Sequence, residues 1–201
     1  MSGQPLAVDR QREPARQALR DDARLIAGIR ARDMLAFEEL YRSYHSRLTR
    51  FLVNLVHRPQ IVEEVFNDTM MVVWDKPDSY RGESRLSTWI FAIAYRKAMK
   101  SLRRMDEPVE DKEAESHISD DAGPDELQRR QQVQVLLLKA ICQLSTDHRA
   151  VVDLTYFQEM SYREIGEIMG CPVNTVKTRM FHARRQLRQM LAGELSDWLQ
   201  G

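Results

Sequence analysis

Residues 161–189 read SYREIGEIMGCPVNTVKTRMFHARRQLRQ, and they predict two short helices joined by a tight turn. Ser161 precedes Glu164 by three residues, which is the spacing of a capping box that satisfies free backbone N–H groups at a helix start. Gly166 leaves room for a second helix to approach closely. Gly170 supplies a turn residue, because glycine tolerates the left-handed conformation that ends many helices. The pattern is that of a helix-turn-helix.

The second helix of this pair is polar and basic. Val176 and Met180 lie four residues apart and would hold it against the first helix. In a helix-turn-helix the second helix enters the major groove of DNA, and neighbouring basic residues contact phosphates. The alternative is a pair of packed surface helices with ordinary charges, but the capping box, small residue, turn glycine and basic helix coincide here. The candidate DNA contacts on this helix are Asn174, Thr175, Lys177, Thr178, Phe181, His182, Arg184 and Arg185.

The block upstream, residues 22–104, has the periodicity of further amphipathic helices. In residues 37–55, apolar side chains recur at intervals of three and four, the stripe of a helix packed on one face. A helix over residues 61–76 ends before Pro77, and another over residues 85–104 becomes basic in its second half. Glycine and proline are sparse, at 8 and 7 residues of 201, which also favours helix. The sequence therefore predicts an all-α protein with two small helical domains.

The net charge is zero, but the two signs are segregated along the chain. Residues 1–104 hold 19 Lys and Arg against 13 Asp and Glu, and residues 129–201 hold 10 against 7. Between them, residues 105–128 hold 1 against 10 and lack apolar periodicity. Because such a segment buries too little apolar surface to fold, we interpret residues 105–126 as a flexible acidic linker. The polar residues 1–21 are interpreted as a flexible arm. Two basic blocks around an acidic one favour two domains that face nucleic acid.

Several functional classes find no support in the sequence. There is no glycine-rich phosphate loop, nucleophile elbow or His–carboxylate cluster at catalytic spacing, so no catalytic residue is predicted. Cys142 and Cys171 lie far apart without further ligands nearby, so we expect neither a metal site nor a cofactor. No stretch approaches the roughly 20 apolar residues of a membrane span, and the N-terminus lacks the apolar core of a secretory signal. We expect a cytoplasmic protein with no small-molecule substrate and no membrane insertion.

Four segments resemble, in the family's order, sigma factors of the extracytoplasmic-function (ECF) group of the sigma-70 family. Residues 36–52, AFEELYRSYHSRLTRFL, resemble the start of region 2, and residues 62–76, VEEVFNDTMMVVWDK, resemble the helix that docks on the polymerase clamp. Residues 80–104, YRGESRLSTWIFAIAYRKAMKSLRR, resemble the segment that melts the promoter and reads the −10 element. Residues 161–188 resemble region 4.

The resemblance implies a specificity subunit of bacterial RNA polymerase that has no catalysis of its own. Region 2, residues 22–104, would bind core polymerase and the −10 element. Region 4, residues 127–201, would read the −35 element, where the resemblance also implies a phosphate contact for Arg163. The implied partners are core polymerase, through its clamp and flap, promoter DNA and an anti-sigma factor. The residues implied at the −10 element are Tyr80, Arg81, Gly82, Glu83, Arg96, Lys97 and Lys100. Those implied at the clamp are Glu64, Asn67 and Asp68.

Two other classes of protein compete with this interpretation. A helix-turn-helix repressor would explain residues 161–188 but would leave residues 22–104 without a role, and it usually needs a dimerisation element to match a palindromic site. An adaptor or anti-sigma protein, which binds only proteins, is disfavoured by the basic second helix. Salt-dependent DNA binding separates the DNA-binding classes from an adaptor. Dependence on core polymerase separates a sigma factor from a repressor.

Overall fold

The computed structural model describes residues 12–105 and 136–200, and every regular element within those two ranges is helical. The helices are α1 (Arg12–Arg30), α2 (Met34–Val56), α3 (Pro59–Asp75), α4 (Leu86–Met105), α5 (residues 136–142), α6 (Thr146–Tyr156), α7 (Tyr162–Met169) and α8 (Val173–Gln200), with a 3₁₀ turn at Pro77–Ser79. The prediction of an all-α fold is confirmed. Apart from Met105, which ends α4, the predicted linker lies outside the described residues, as do residues 1–11 of the predicted arm.

Helix α1 corrects one prediction. The arm predicted at residues 1–21 is helical from Arg12 onward, whereas the helix was expected to begin at Asp22. Pro14 lies in the first turn, where the N–H that proline lacks would have no intrahelical partner in any case. The other residues of this stretch are mostly Arg, Ala, Gln and Leu, which lose little conformational entropy in a helix. Helix propensity therefore extends α1 beyond the part that shows an apolar period.

Helices α1–α4 form a first unit around a shared core. The rings of Phe51 in α2 and Phe91 in α4 are fully buried, with centroids 5.3 Å apart. Burying a side chain of that size contributes about 1.5–3 kcal/mol. The start of α2 is set by Asp33, whose carboxylate accepts from the Leu35 N–H at 2.9 Å. The face of α3 that packs on this core is buried and consists of Val62, Val65, Phe66, Thr69 and Val73.

Helices α5–α8 form a second unit. Val151 and Leu154 of α6 are fully buried, and α6 packs on α7 and α8. Arg149, also buried, donates from its guanidinium to the Cys142 carbonyl oxygen at 3.2 Å. This bond ties α6 to the end of α5, so the second unit is held together by apolar burial and by one buried cation on a backbone carbonyl.

The two units are in contact, α2 packing on α6 and α4 on α7. Apart from Ala140 and Ile141 of α5, the buried apolar residues of the two units form one continuous core. At its edge, Asn54 Nδ2 of α2 donates to the Asp153 carboxylate of α6 at 2.6 Å, and the Tyr95 hydroxyl of α4 donates to Asp147 at 3.0 Å. These directional bonds join specific positions of the two units, so their relative orientation is defined.

His57, at the end of α2, is expected to make the stability of the folded chain depend on pH. It ends α2 in the left-handed conformation, with φ of 57°, and its N–H donates to the Val53 carbonyl oxygen at 3.1 Å. His57 is exposed overall, but partial desolvation of its ring lowers its pKa below the ordinary 6.5, and the Arg149 guanidinium of α6 lowers it further. A histidine whose folded-state pKa is lowered contributes its full stability above pH 6.5 and loses it as the pH falls, because the unfolded state then binds more protons.

Replacing His57 with asparagine is expected to remove this pH dependence. Asparagine tolerates the left-handed conformation, so the end of α2 is preserved while the titrating group is lost. Thermal unfolding followed by circular dichroism should give similar Tm values for the two chains at about pH 7.5, and the native chain should fall relative to His57→Asn toward about pH 5.5. Curves that stay parallel over that range would contradict the assignment.

Candidate nucleic-acid interface

The capping box predicted at the start of α7 is formed. The Ser161 N–H donates to the Glu164 carboxylate at 2.8 Å, and the Ser161 hydroxyl accepts from the Glu164 N–H at 3.4 Å. Glu164 also accepts from the Thr88 hydroxyl of α4 at 3.3 Å. The first turn of α7 is therefore held both by its own cap and by the first unit.

The turn between α7 and α8 depends on two glycines for different reasons. A Cβ added at Gly166 would lie 2.9 Å from the Cys171 carbonyl oxygen, so only glycine permits the approach of the turn to α7. Gly170 ends α7 with φ of 64°, in the left-handed region, and no atom lies within 4 Å of the position of its missing Cβ. The Cys171 N–H closes the turn on the Gly166 carbonyl oxygen at 3.0 Å. The angle between α7 and α8 follows from these contacts.

The exposed face of α8 lies opposite its buried one. Val176 and Met180 are buried as predicted, and Ala183 is buried with them. At about 100° per residue, the opposite face carries five of the predicted DNA contacts, all exposed: Asn174, Lys177, Thr178, Phe181 and Arg185. Phe181 is 64% exposed, so its ring contributes little to the core. The major groove offers such a ring the methyl group of thymine.

Two predicted contacts lie at one side of this face. Thr175 is half-buried, about 100° around the helix from Asn174. His182 is exposed and stands edge-on to Phe181, with ring centroids 5.5 Å apart. Thr175 is therefore turned partly toward the protein, whereas His182 supports the Phe181 ring.

The two remaining predicted contacts of the second unit have partners within the protein. Arg184 Nε donates to the Tyr156 hydroxyl at 3.0 Å, and its guanidinium lies 5.7 Å from the centre of that ring. Arg163 is exposed on α7 and lies 3.4 Å from Glu167. Surface pairs of this kind contribute little stability and exchange readily with a phosphate, so both cations remain accessible to DNA.

In the predicted −10 loop, a hydrogen bond and a ring contact hold Tyr80 in place, whereas the residues of the tip are exposed. The Tyr80 hydroxyl donates to the Ser84 carbonyl oxygen at 2.8 Å, and its ring lies 5.5 Å from that of Trp89. Partial burial raises the pKa of Tyr80. Gly82 has φ of 75° and open space around it. The tip consists of three exposed residues: Arg81, Gly82 and Glu83.

The cations of α4 divide between two faces. Arg96 and Lys100 are exposed on the face that also carries Trp89, seven and eleven residues before them. Lys97 points elsewhere and donates to Asp68 of α3 at 2.8 Å. The structure thus brings Arg96 and Lys100 together, whereas Lys97 is engaged by a residue predicted for the polymerase contact.

The predicted polymerase contacts share one exposed face of α3. Glu64, Asn67 and Asp68 follow the three- and four-residue spacing of a helix face, and all three are exposed. Met71 continues this face and is 57% exposed. Met71 was not among the predicted contacts, because an apolar side chain in an amphipathic helix is expected to lie in the core unless its exposure is known.

The residues that join the two units were also missed. Asp153 is 2% exposed, and its burial raises the pKa of the carboxyl group, against which the hydrogen bonds from Asn54 and Gln158 act. A carboxylate within the apolar run AVVDL of α6 is a usable signal, since an unpaired buried charge is costly. That signal predicts that Asp153 has a hydrogen-bonding partner. The partner, Asn54, lies in another helix and cannot be identified from the residues around Asp153.

No helix of residues 12–105 and 136–200 combines the length and apolar content that crossing a bilayer requires. In the same two ranges, no three His, Cys, Asp or Glu side chains lie grouped as metal ligands would be. Cys142 is exposed and Cys171 half-buried, and neither forms a disulfide.

Two family models match the chain: "Sigma-70 region 2" over residues 40–107 and "Sigma-70, region 4" over residues 134–187. The RNA polymerase sigma-H factor of Pseudomonas aeruginosa is 28% identical over 180 residues, covering 85% of this chain and 93% of that protein. The ECF RNA polymerase sigma-E factor of Haemophilus influenzae is 27% identical, with 85% and 95% covered. The sigma factor RpoE of Bartonella quintana, crystallised with the anti-sigma factor NepR, superimposes with a TM-score of 0.60 at 25% identity, over 77% of this chain and 98% of that one.

Proposed function

Because this chain belongs to the ECF group of the sigma-70 family, it directs promoter-specific initiation by core RNA polymerase, and we propose that its two units divide that task. The first unit binds polymerase and the −10 element, and the second unit reads the −35 element and contacts the flap. Its controlling partner is an anti-sigma factor, the class of protein with which the Bartonella quintana relative was crystallised. We assign the chain no catalytic role of its own and place it in the cytoplasm, where polymerase meets DNA.

Recognition of the −35 element rests on one observation, the exposed polar face of α8 opposite a buried apolar one. Asn174 and Lys177 carry hydrogen-bond donors suited to base edges, and Phe181 suits a thymine methyl group. Arg163, Arg184 and Arg185 would bind phosphates and hold the helix in register without reading sequence. The capping box and the two turn glycines support this assignment, because they fix the orientation of α8 relative to α7.

Reading of the −10 element is assigned to the loop at residues 80–83 and the adjacent face of α4. The braced Tyr80 lies two residues before the open loop tip at Gly82, and we assign this loop to a base taken out of the stack. Flipping a base costs a few kcal/mol, which stacking and hydrogen bonds in such a site can offset. Arg96 and Lys100 then meet the backbone phosphates of the separated strand.

The experiment that tests this function is run-off transcription with bacterial core polymerase on a promoter library, with and without the chain. We expect new initiation that shares a two-element motif only when the chain is present. DNA binding without new initiation would contradict the proposal and favour the repressor.

Replacing Glu64 with glutamine is expected to weaken core polymerase binding about threefold at low salt, with the difference fading as salt rises. Glu64 lies on the exposed face of α3 assigned to the clamp, so its charge steers association rather than forming a buried pair. Glu38→Gln is the matched control, because Glu38 is also exposed but lies on α2 rather than on the face of α3 assigned to the clamp. Fluorescence titration with labelled core polymerase measures both, and equal losses would contradict the assignment of this face.

A further inference from the structure

A cavity of about 550 Å³ lies between the two units. Its cationic lining comes from both of them: Arg96, Lys100, Arg103 and Arg104 from α4, and Arg179 from α8. The one carboxylate in the lining is Asp147 of α6. The volume falls in the range of about 300–1,000 Å³ that suits one small molecule.

The carboxylate of this cavity is already engaged. Asp147 pairs with Arg179 at 2.5 Å and also accepts from the Tyr95 hydroxyl at 3.0 Å. Among the described residues, no ion pair neutralises the four cations of α4 that line the cavity. The excess of positive charge around this space therefore comes from the four cations of α4, and an anion that entered the cavity would neutralise it.

The packed arrangement cannot serve both promoter elements at once. The −35 and −10 elements are about 25 base pairs apart by their names, or about 85 Å along B-DNA at about 3.4 Å per base pair. Arg179 of the −35 helix and Arg96 of the −10 surface line the same cavity. The units must therefore separate before the protein can read a promoter, and whatever stabilises their contact opposes initiation.

We propose that this cavity binds a small polyanion with several phosphate groups, which bridges the two units and stabilises their packed arrangement. Four of the five cations are arginines, whose planar guanidinium forks match phosphate oxygens in pairs. Because the cations come from both units, the site is complete only while the units are in contact. The consequence for initiation rests on the function proposed above, whereas the binding site itself does not.

The test uses the full chain and inorganic tripolyphosphate as the probe, measured by isothermal titration calorimetry at about 0.1 M salt. We expect saturable binding of one anion per chain. Arg179→Gln should weaken it about tenfold, because the variant removes a cation and leaves Asp147 beside the anion. Arg188→Gln, on an exposed part of the same helix outside the cavity, should change it less than about twofold. No saturable binding, or equal losses in the two variants, would overturn the proposal.

A second pair of variants tests whether the site needs both units. Asn54→Glu sets a carboxylate against Asp153 and should separate the units, so tripolyphosphate binding should fall about tenfold. Gln60→Glu adds the same charge at an exposed position of the same unit and should leave binding within about twofold. Similar affinities in these variants would overturn the proposal. Circular dichroism checks that Asn54→Glu is folded, and if it is not, Arg103→Gln replaces it, with a loss expected as for Arg179→Gln.

Binding is measured rather than transcription, because tripolyphosphate would also take up the Mg²⁺ that polymerase needs. The two proposals therefore fail separately. A chain that initiates transcription but binds no tripolyphosphate refutes only the cavity site, and a chain that binds tripolyphosphate but initiates nothing refutes only the sigma function.

Discussion

Replacing Gly166 with leucine is expected to disrupt the helix-turn-helix and to abolish initiation at promoters that need a −35 element. A side chain at this buried position would have to displace the Cys171 carbonyl oxygen, which lies 2.9 Å from the Cβ site. That oxygen belongs to the turn between α7 and α8, so it cannot move without changing the angle between these two helices. We expect a loss of about 3 kcal/mol in the free energy of unfolding, measured by urea denaturation alongside run-off transcription.

Gly166→Ala distinguishes this steric explanation from the usual effect of alanine in a helix, because the two predict stability changes of opposite sign. At an unconstrained helix position, Gly→Ala stabilises a protein by about 0.5–1 kcal/mol. Gly166→Ala should instead destabilise it by about 1 kcal/mol or more, because even a methyl group meets the backbone oxygen. Gly170→Ala is the comparison: its methyl group would lie in open space, and only the left-handed conformation costs about 1 kcal/mol. A stabilising Gly166→Ala would contradict the account of the turn.

Replacing Phe181 with alanine is expected to lower initiation about tenfold at the best −35 sequences, with little change in Tm. The ring is 64% exposed on the face of α8 assigned to the groove, so truncation removes little core packing but loses its contact with a base. A base contact is worth about 1–3 kcal/mol. Run-off transcription on a library randomised across the −35 element should show the preference relaxing at one position.

Arg185→Gln is the matched comparison for Phe181→Ala. Arg185 lies four residues further along the same exposed face, but we assign it to a phosphate. Its loss should weaken binding by a similar factor at every −35 sequence and reduce the salt dependence of binding by about one counterion. If Phe181→Ala also lowers initiation by the same factor at every −35 sequence, Phe181 does not read a base.

The helix-turn-helix shows why part of the site was predictable. Ser161 and Glu164 are three residues apart, and Val176 and Met180 are four, so their contacts form within a turn of helix whatever else the chain does. The same locality explains the exposed face of α8 and the face of α3. Residues 12–21 were mispredicted because a helix without an apolar stripe differs from an arm only in its propensity, which is a weak signal.

Local patterns in the chain thus specify an all-α protein, the positions of most helices, the capping box, the turn glycines and the family. The tertiary structure alone decides which helices of one unit lie against the other, how Asn54 meets Asp153, that Lys97 is held by Asp68, and that Arg179 lies across a cavity from α4. The physical reason is how far apart in the sequence the interacting residues lie. Hydrogen bonds and apolar periods within a helix are set by neighbours three or four residues away, whereas these pairs form between surfaces whose match depends on the packing of whole helices.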